Sequence, residues 1–366
     1  MSSVVLKLDN VTKRFGDVIA VDKISFEVMR GELFSLLGPS GCGKTTTLRI
    51  IAGLEFPDEG RVYINNIDVT NKPAKERSVC LVFQEYAVFP HMSVYENIAF
   101  GLRVRNYSKS DIDRIVREVA ELLNINDILN QRASKLSLSA QQRVAVARCL
   151  VVKPAILLLD EPLTMVDARV KETLRRELRK MQKDLGITTI FVTHDQLEAF
   201  MISDKIAVMN KGRILQIGTP QEIYNKPINT FVATFVGSPT VNLVEGHIEI
   251  MNERPVFRSN DKSLIIYLRE PRSKETLMSL VNKPVIIGVR PEDIEISAEG
   301  HIKGYVSMLE FLGDKIVLKI KISENISLRL FTDLYSKISL GGEVLLKINS
   351  DNLNIFDPAT GVRIEW

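Results

Sequence analysis

The residues with the clearest chemical meaning are Gly38-Pro39-Ser40-Gly41-Cys42-Gly43-Lys44-Thr45, which follow the apolar run Leu33-Phe34-Ser35-Leu36-Leu37 and lead into Thr46-Thr47-Leu48. The spacing G-x-x-x-x-G-K-[ST] converges backbone N–H groups on the α- and β-phosphates of a nucleotide. It also brings a lysine amine to the β- and γ-phosphates and offers a hydroxyl to Mg²⁺. The helix expected after the loop points its positive end at the same anion. Residues 38–46 are therefore expected to hold ATP or a related triphosphate, with Lys44 on phosphate and Thr45 on Mg²⁺.

A second group closes the apolar run Ala155-Ile156-Leu157-Leu158-Leu159 with two acids, Asp160 and Glu161. A strand without polar residues is expected of a parallel sheet covered on both faces. Asp160 is placed to hold Mg²⁺, directly or through water, and Glu161 to polarise the water that attacks the γ-phosphate. Gln84, after Val79–Phe83, and His194, after Thr188–Val192, stand in the same relation to their strands, where ligands bind in α/β sheets. Gln84 reads as a ligand contact (Mg²⁺ included) or as a strand cap, and His194 as a γ-phosphate contact. Phe15, beside Gly16 in a polar turn, stacks on a base or packs on the sheet; the neighbouring cradle favours stacking.

These residues need a scaffold. Short strands are expected at Val4 to Leu8, Ile24 to Val28 and Glu32 to Leu37, together forming a sheet edge, with further strands at Arg61–Ile64 and Val79–Phe83. From about Tyr86 to Leu150 the pattern turns helical: Ser108 with Asp111 resembles a capping box, and Ile112, Ile115, Val116, Val119, Leu122 and Leu123 mark one face. A charged helix follows, with Val170, Leu174, Leu178, Met181 and Leu185 on one face and Gly186 closing it.

At 366 residues the chain exceeds the ~250–300 that one core usually holds, so two domains are expected. With 48 basic and 45 acidic residues and a formal charge of +3, it lacks the concentrated positive charge of a nucleic-acid binder. Cys42, Cys80 and Cys149 are odd in number, scattered and without metal-ligand spacing, which fits a reducing cytosolic compartment. The N-terminus does not read as a leader, and no run approaches the ~20 apolar residues of a membrane helix, so the chain is not expected to span a bilayer.

In this order, the cradle, Gln84, a helical insertion, Asp160/Glu161, Asp167 and His194 resemble the ATPase domain of ABC transporters over about the first 235 residues. The closer resemblance is to the ATP-binding subunits of maltose and multiple-sugar importers. It is carried by VFQEYAVFPHMSVYENIAFGL at 82–102, THDQLEA at 193–199 and GRILQIGTPQEIY at 212–224, and continues through Val289-Arg290-Pro291-Glu292 and Ile355-Phe356-Asp357. The resemblance implies an α/β P-loop ATPase of ABC type over 1–235, with a helical subdomain at about 86–150, followed by an all-β OB-like domain over 236–366. That second domain is expected to help hold a dimer; sparse aromatics and mixed charge argue against an oligonucleotide groove. Also implied are a permease contacted through Gln84 to Glu96, a second ATPase subunit, an external solute-binding protein, and a peripheral position on the cytoplasmic face of the membrane.

One segment departs from the family. Where it has L-S-G-G-Q, this chain has Leu136-Ser137-Leu138-Ser139-Ala140. In the family this segment closes over the γ-phosphate held by the other subunit, so Ser137 and Ser139 are candidate contacts and Leu138 a candidate obstruction. A glycine lost where φ is positive costs roughly 1–2 kcal/mol. Three outcomes stay open: a slow but working homodimer, a heterodimer with an intact partner, or an ATP-binding regulatory chain without productive turnover. The Asp167 loop, Thr164-Met165-Val166-Asp167, departs mildly from S-N-L-D and keeps its aspartate.

Overall fold

Two long strands open the chain, β1 (Val4–Phe15) and β2 (Val18–Met29). They are twice the expected length, and with β4 (Glu59–Ile64) and β5 (Ile67–Asp68) they make a separate antiparallel sheet, ordered β2-β1-β4-β5, rather than an edge. Register shifts between Leu8 and Val11 and again between Val11 and Lys13 break the two-residue alternation, which is why the first strand was expected to end at Leu8. The computed structural model describes residues 3–164, 166, 168–269, 278–334 and 338–366.

The second sheet holds β3 (Leu33–Leu37), β6 (Val79–Val82), β7 (Ile156–Asp160), β8 (Thr188–Thr193), β9 (Lys205–Asn210) and β10 (Arg213–Gly218) in the order β10-β9-β3-β8-β7-β6. All neighbours run parallel except β9 and β10. Successive side chains point to opposite faces. On β7, Ile156 and Leu158 join one apolar layer with Leu48 and Ile50 of α1 (Lys44–Ala52) and Leu6 and Leu8 of β1. Leu157 and Leu159 join the other layer, with Val94, Ile98, Val116, Val144 and Leu174. Burying one such leucine contributes about 2 kcal/mol, and a one-residue slip would exchange the two sets. Core packing therefore sets where Asp160 emerges.

The second layer is helical: α2 (Val94–Val104), α3 (Lys109–Leu122), α4 (Leu138–Leu150), α5 (Ala168–Leu185) and α6 (Gln196–Ile202). The reciprocal capping box lies at Ser93 and Glu96, ahead of α2. At Ser108 the hydroxyl accepts from Asp111 N–H, but the Asp111 carboxylate bonds that hydroxyl instead of the backbone. On α5, Leu174 and Leu178 are buried as expected, whereas Val170 is 42% exposed.

The cysteines are corrected. Cys80 of β6 and Cys149 of α4 form a disulfide, Cα atoms 5.5 Å apart, across a sequence separation of 69 residues. Spacing alone could not reveal the pair, because only the layering of α4 on β6 brings its members together. Cys42 is left as a buried free thiol.

The chain divides into compact units Met1–Pro220 and Gln221–Trp366. Arg290 is buried and donates to the carbonyls of Tyr224, Ala233 and Val236, tying the helices Pro220–Asn225 and Thr230–Phe235 to the later strands. The second unit is all-β around this anchor: a six-stranded and a five-stranded sheet share a core that includes Ile248, Phe257, Ile287, Leu318 and Leu346. On its strand Lys315–Lys321, Ile316, Leu318 and Ile320 are buried as the alternation requires, but Val317 is buried too. Among the described residues no helix is long and apolar enough to cross a membrane.

Candidate nucleotide-binding and hydrolysis site

Register places the polar residues along one edge of the parallel sheet. Leu37 pairs with Thr193, Asp160 with Val192, and Val82 with Leu159, so β3, β8, β7 and β6 end side by side. The cradle leaves β3, Gln84 follows β6 in a half-buried turn, Asp160 and Glu161 end β7, and His194 follows β8.

The cradle is built by close backbone approach. At Gly43, with φ of 103°, a Cβ would collide with the carbonyl of Ala20 on β2; at Gly38 it would collide with the carbonyl of Met209 on β9. Gly212 N–H donates to the Cys42 carbonyl, and Asp22 N–H donates to the Gly212 carbonyl, clasping the loop from outside. Gly43 caps α1 without a side-chain acceptor, so the first-turn N–H groups of Lys44, Thr45 and Thr46 stay available to an anion. Lys44 is buried and its Nζ donates to the carbonyls of Gly38 (2.9 Å) and Pro39 (3.0 Å), with Cys42 Sγ 3.9 Å away. Burial pushes the Cys42 thiol up, opposed by Lys44. Ser40 and Gly41 are exposed at the tip of the loop.

Opposite the cradle, Thr45 Oγ1 donates to Asp160 Oδ1 at 3.1 Å. Burial raises the Asp160 carboxyl above its ordinary range, the Thr45 hydrogen bond opposing it and the Glu161 charge adding to it. Glu161 adopts φ of 45°, a left-handed conformation that costs a non-glycine residue roughly 1–3 kcal/mol. Its N–H donates to the Val192 carbonyl, and its Oε2 lies 3.0 Å from His194 Nδ1 and accepts from Thr164 Oγ1 at 3.2 Å.

Sequence reasoning missed the supports of this pair. Thr193 Oγ1 donates to buried Glu198 at 2.6 Å, Lys171 Nζ stands 3.4 Å from the same carboxylate, and Asp195 caps α6. The D-x-x-E spacing of Asp195 and Glu198 was a readable capping signal. Tyr86, buried with φ of 57°, donates to the Pro162 carbonyl at 2.6 Å; burial, then the Glu198 charge, pushes its phenol up to about 12.

Phe15 is not packed into the sheet: its ring is 48% exposed at the β1–β2 turn, with Lys13 Nζ 5.3 Å from its centroid. Ser137 caps α4, accepting from Ala140 N–H, and Leu138 and Ser139 form its first turn. Neither of these two has positive φ, so the backbone does not demand the glycines they replace. Leu138 is 41% exposed. Among the described residues, Ser137 and Ser139 share no hydrogen bond with the cradle. Asp167 lies outside the described residues.

A phosphate cradle on a parallel sheet, facing a carboxylate pair and a histidine, defines a P-loop nucleotide-binding protein. The ABC transporter model matches residues 21–164, the MalK OB fold domain 237–294 and the TOBE domain 287–356. The trehalose/maltose import ATP-binding protein MalK of Thermococcus litoralis is 42% identical over 375 residues, covering 98% of this chain and 99% of the relative. The spermidine/putrescine import ATP-binding protein PotA of Acetivibrio thermocellus is 44% identical over 319 residues, 85% of each chain. Among solved structures, cbiO1 from Clostridium perfringens, part of the ABC transporter complex cbiONQ, superposes with a TM-score of 0.56 at 30% identity over 60% of this chain and 90% of that one. The chain belongs to the import ATP-binding subunits of the ABC transporter family.

Proposed function

We propose that this chain hydrolyses ATP to power the import of a sugar through a membrane permease, from the cytoplasmic face of the membrane. The observation that carries hydrolysis is Glu161, held between His194 and Thr164 in a strained backbone conformation beside the Thr45–Asp160 pair. The first-turn N–H groups of α1 and Lys44 bind phosphate, for which the Lys44 amine exchanges its two loop carbonyls. Phe15 offers its exposed ring to the base. Glu161 accepts a proton from water; His194 orients that carboxylate and reads the γ-phosphate.

Thr45 and Asp160 supply hard oxygens that suit Mg²⁺, Gln84 supplies an amide oxygen at the same edge, and among the described residues no larger acidic or histidine cluster competes. When bound, Mg²⁺ neutralises charge developing on the phosphate oxygens. Asp167, Ser137 and Ser139 are assigned to the interface with a second ATPase subunit, where the α4 N-terminus meets the partner's nucleotide.

Sugar import is supported by near full-length similarity to a trehalose/maltose subunit, extending through the C-terminal domain; a polyamine subunit is also similar over near full length, at 39% identity against 42%. The permease is assigned to residues 84–96, with an external solute-binding protein upstream of it. The test measures ATP turnover of the chain assembled with its permease in vesicles, while binding proteins loaded with a disaccharide, a polyamine or ferric ion are supplied in turn. Stimulation by the disaccharide alone supports the assignment; stimulation by either of the others replaces the solute, and no turnover with any of them removes the hydrolytic role.

A further inference from the structure

The Cys80–Cys149 disulfide joins the strand that leads into the Gln84 turn to the helix that Ser137 caps. Cys80 lies on β6, four residues before Gln84; Cys149 lies at the end of α4, whose other end carries Ser137. Both cysteines line a groove of about 150 Å³ together with Phe83, Tyr86, Phe100 and Arg148. Arg148 reinforces the link: its guanidinium hydrogen-bonds the Ala87 carbonyl and stands 4.3 Å from the centroid of the Phe89 ring. The strand that leads into the Gln84 turn is thus bound to α4 by one covalent bond, and the turn itself by one guanidinium. The same turn is bound to the Glu161 segment through Tyr86.

We propose that Cys80 and Cys149 are a reversible redox modification site, which in its oxidised form locks α4 to the Gln84 turn and slows ATP turnover. The inference rests on the hydrolytic reading above. The oxidant is an external disulfide of the glutathione class. One cysteine thiolate attacks it and displaces one thiol. The second cysteine then attacks the mixed disulfide and displaces the other thiol. Two protons and two electrons leave the cysteine pair, one S–S bond is consumed and one forms. The groove is the access path, since Cys149 is otherwise buried. Nucleotide binding is spared, because the cradle stands on β3 and α1, which the bond does not touch.

The test uses the full chain equilibrated with oxidised or reduced glutathione, and a Cys80→Ser/Cys149→Ser variant treated in parallel. After denaturation, a maleimide should label Cys42 alone in the oxidised chain and all three cysteines in the reduced one. Reduction should raise turnover about tenfold with ATP affinity unchanged. It should lower the thermal midpoint by roughly 5 °C and speed amide exchange along α4 about tenfold. The variant should ignore glutathione; any response it retains belongs to Cys42, and only the difference between the two chains reads the pair. Three labelled thiols after oxidation, or equal turnover with equal amide exchange in the two states, would overturn the proposal. Absence of turnover in both states strikes at the hydrolytic reading, and the exchange rates then judge the lock by themselves.

Discussion

The phenol of Tyr86 donates a 2.6 Å hydrogen bond to the carbonyl of Pro162, the residue directly after Glu161. The turn that carries Gln84 is thereby joined to the segment that carries Glu161, the carboxylate proposed to activate water. Replacing Tyr86 with Phe keeps the ring and leaves a buried carbonyl without its donor, a cost of about 1–3 kcal/mol. Urea unfolding should show that loss, and turnover should fall while ATP binding is retained. A Tyr86→Phe chain with parental stability and turnover would remove the link.

Glu161→Gln should preserve ATP binding and lower turnover by about 10²–10⁴-fold. His194→Ala should act through the same carboxylate. The double variant is therefore expected to fall little below the worse single variant, since groups that act as a unit are not additive. Steady-state phosphate release measures all three chains; multiplied losses would mean independent roles.

Leu138 and Ser139 already stand in helical backbone, so glycine there relieves no strain. Leu138→Gly with Ser139→Gly should cost about 1 kcal/mol per site in helix stability and leave turnover unchanged or lower. A marked rise in turnover would show that the Leu138 side chain obstructs the partner's nucleotide.

Asp160 has a pH signature. Its carboxyl is raised by burial, so the folded chain holds that proton more tightly than the unfolded chain does. The ionised group therefore opposes folding above the folded value, and the penalty is lifted as pH falls through it. Asp160→Asn should raise the thermal midpoint of the nucleotide-free chain at neutral pH and abolish Mg²⁺-dependent tightening of ATP binding. In the parent, that tightening should fade at a higher pH than an ordinary aspartate would give. Calorimetric titration across acid pH reads both.

In the second unit, Arg290→Lys should destabilise nearly as much as Arg290→Ala, by about 3 kcal/mol. One ammonium cannot reproduce a planar fork that serves three carbonyls while stacking 4.0 Å from the Tyr224 ring centroid. Chemical unfolding of the full chain monitors that loss.

The cradle and the Asp160–Glu161 pair were legible because each is a contiguous motif at the end of an apolar run. Tyr86–Pro162 and Cys80–Cys149 were not, since their partners are 76 and 69 residues apart and meet only when the helical layer closes on the sheet. The extent of β1 and β2 was misread because bulges invert the alternation that reveals a strand. The penalty expected at Leu138 assumed positive φ, and local sequence could not show that this residue begins a helix.

The clasp around the cradle also bears on how the chain is made. Ala20, Met209 and Gly212 pack against a loop that ends at Thr45, so the triphosphate site is assembled from segments almost 170 residues distant in the order of synthesis. Contacts of such long sequence separation form late, and a chain growing on the ribosome acquires them only after the β9–β10 hairpin has emerged. A nascent chain with its complete P-loop motif is still without the walls of the site. The walls of the triphosphate site are thus complete only when the first unit is.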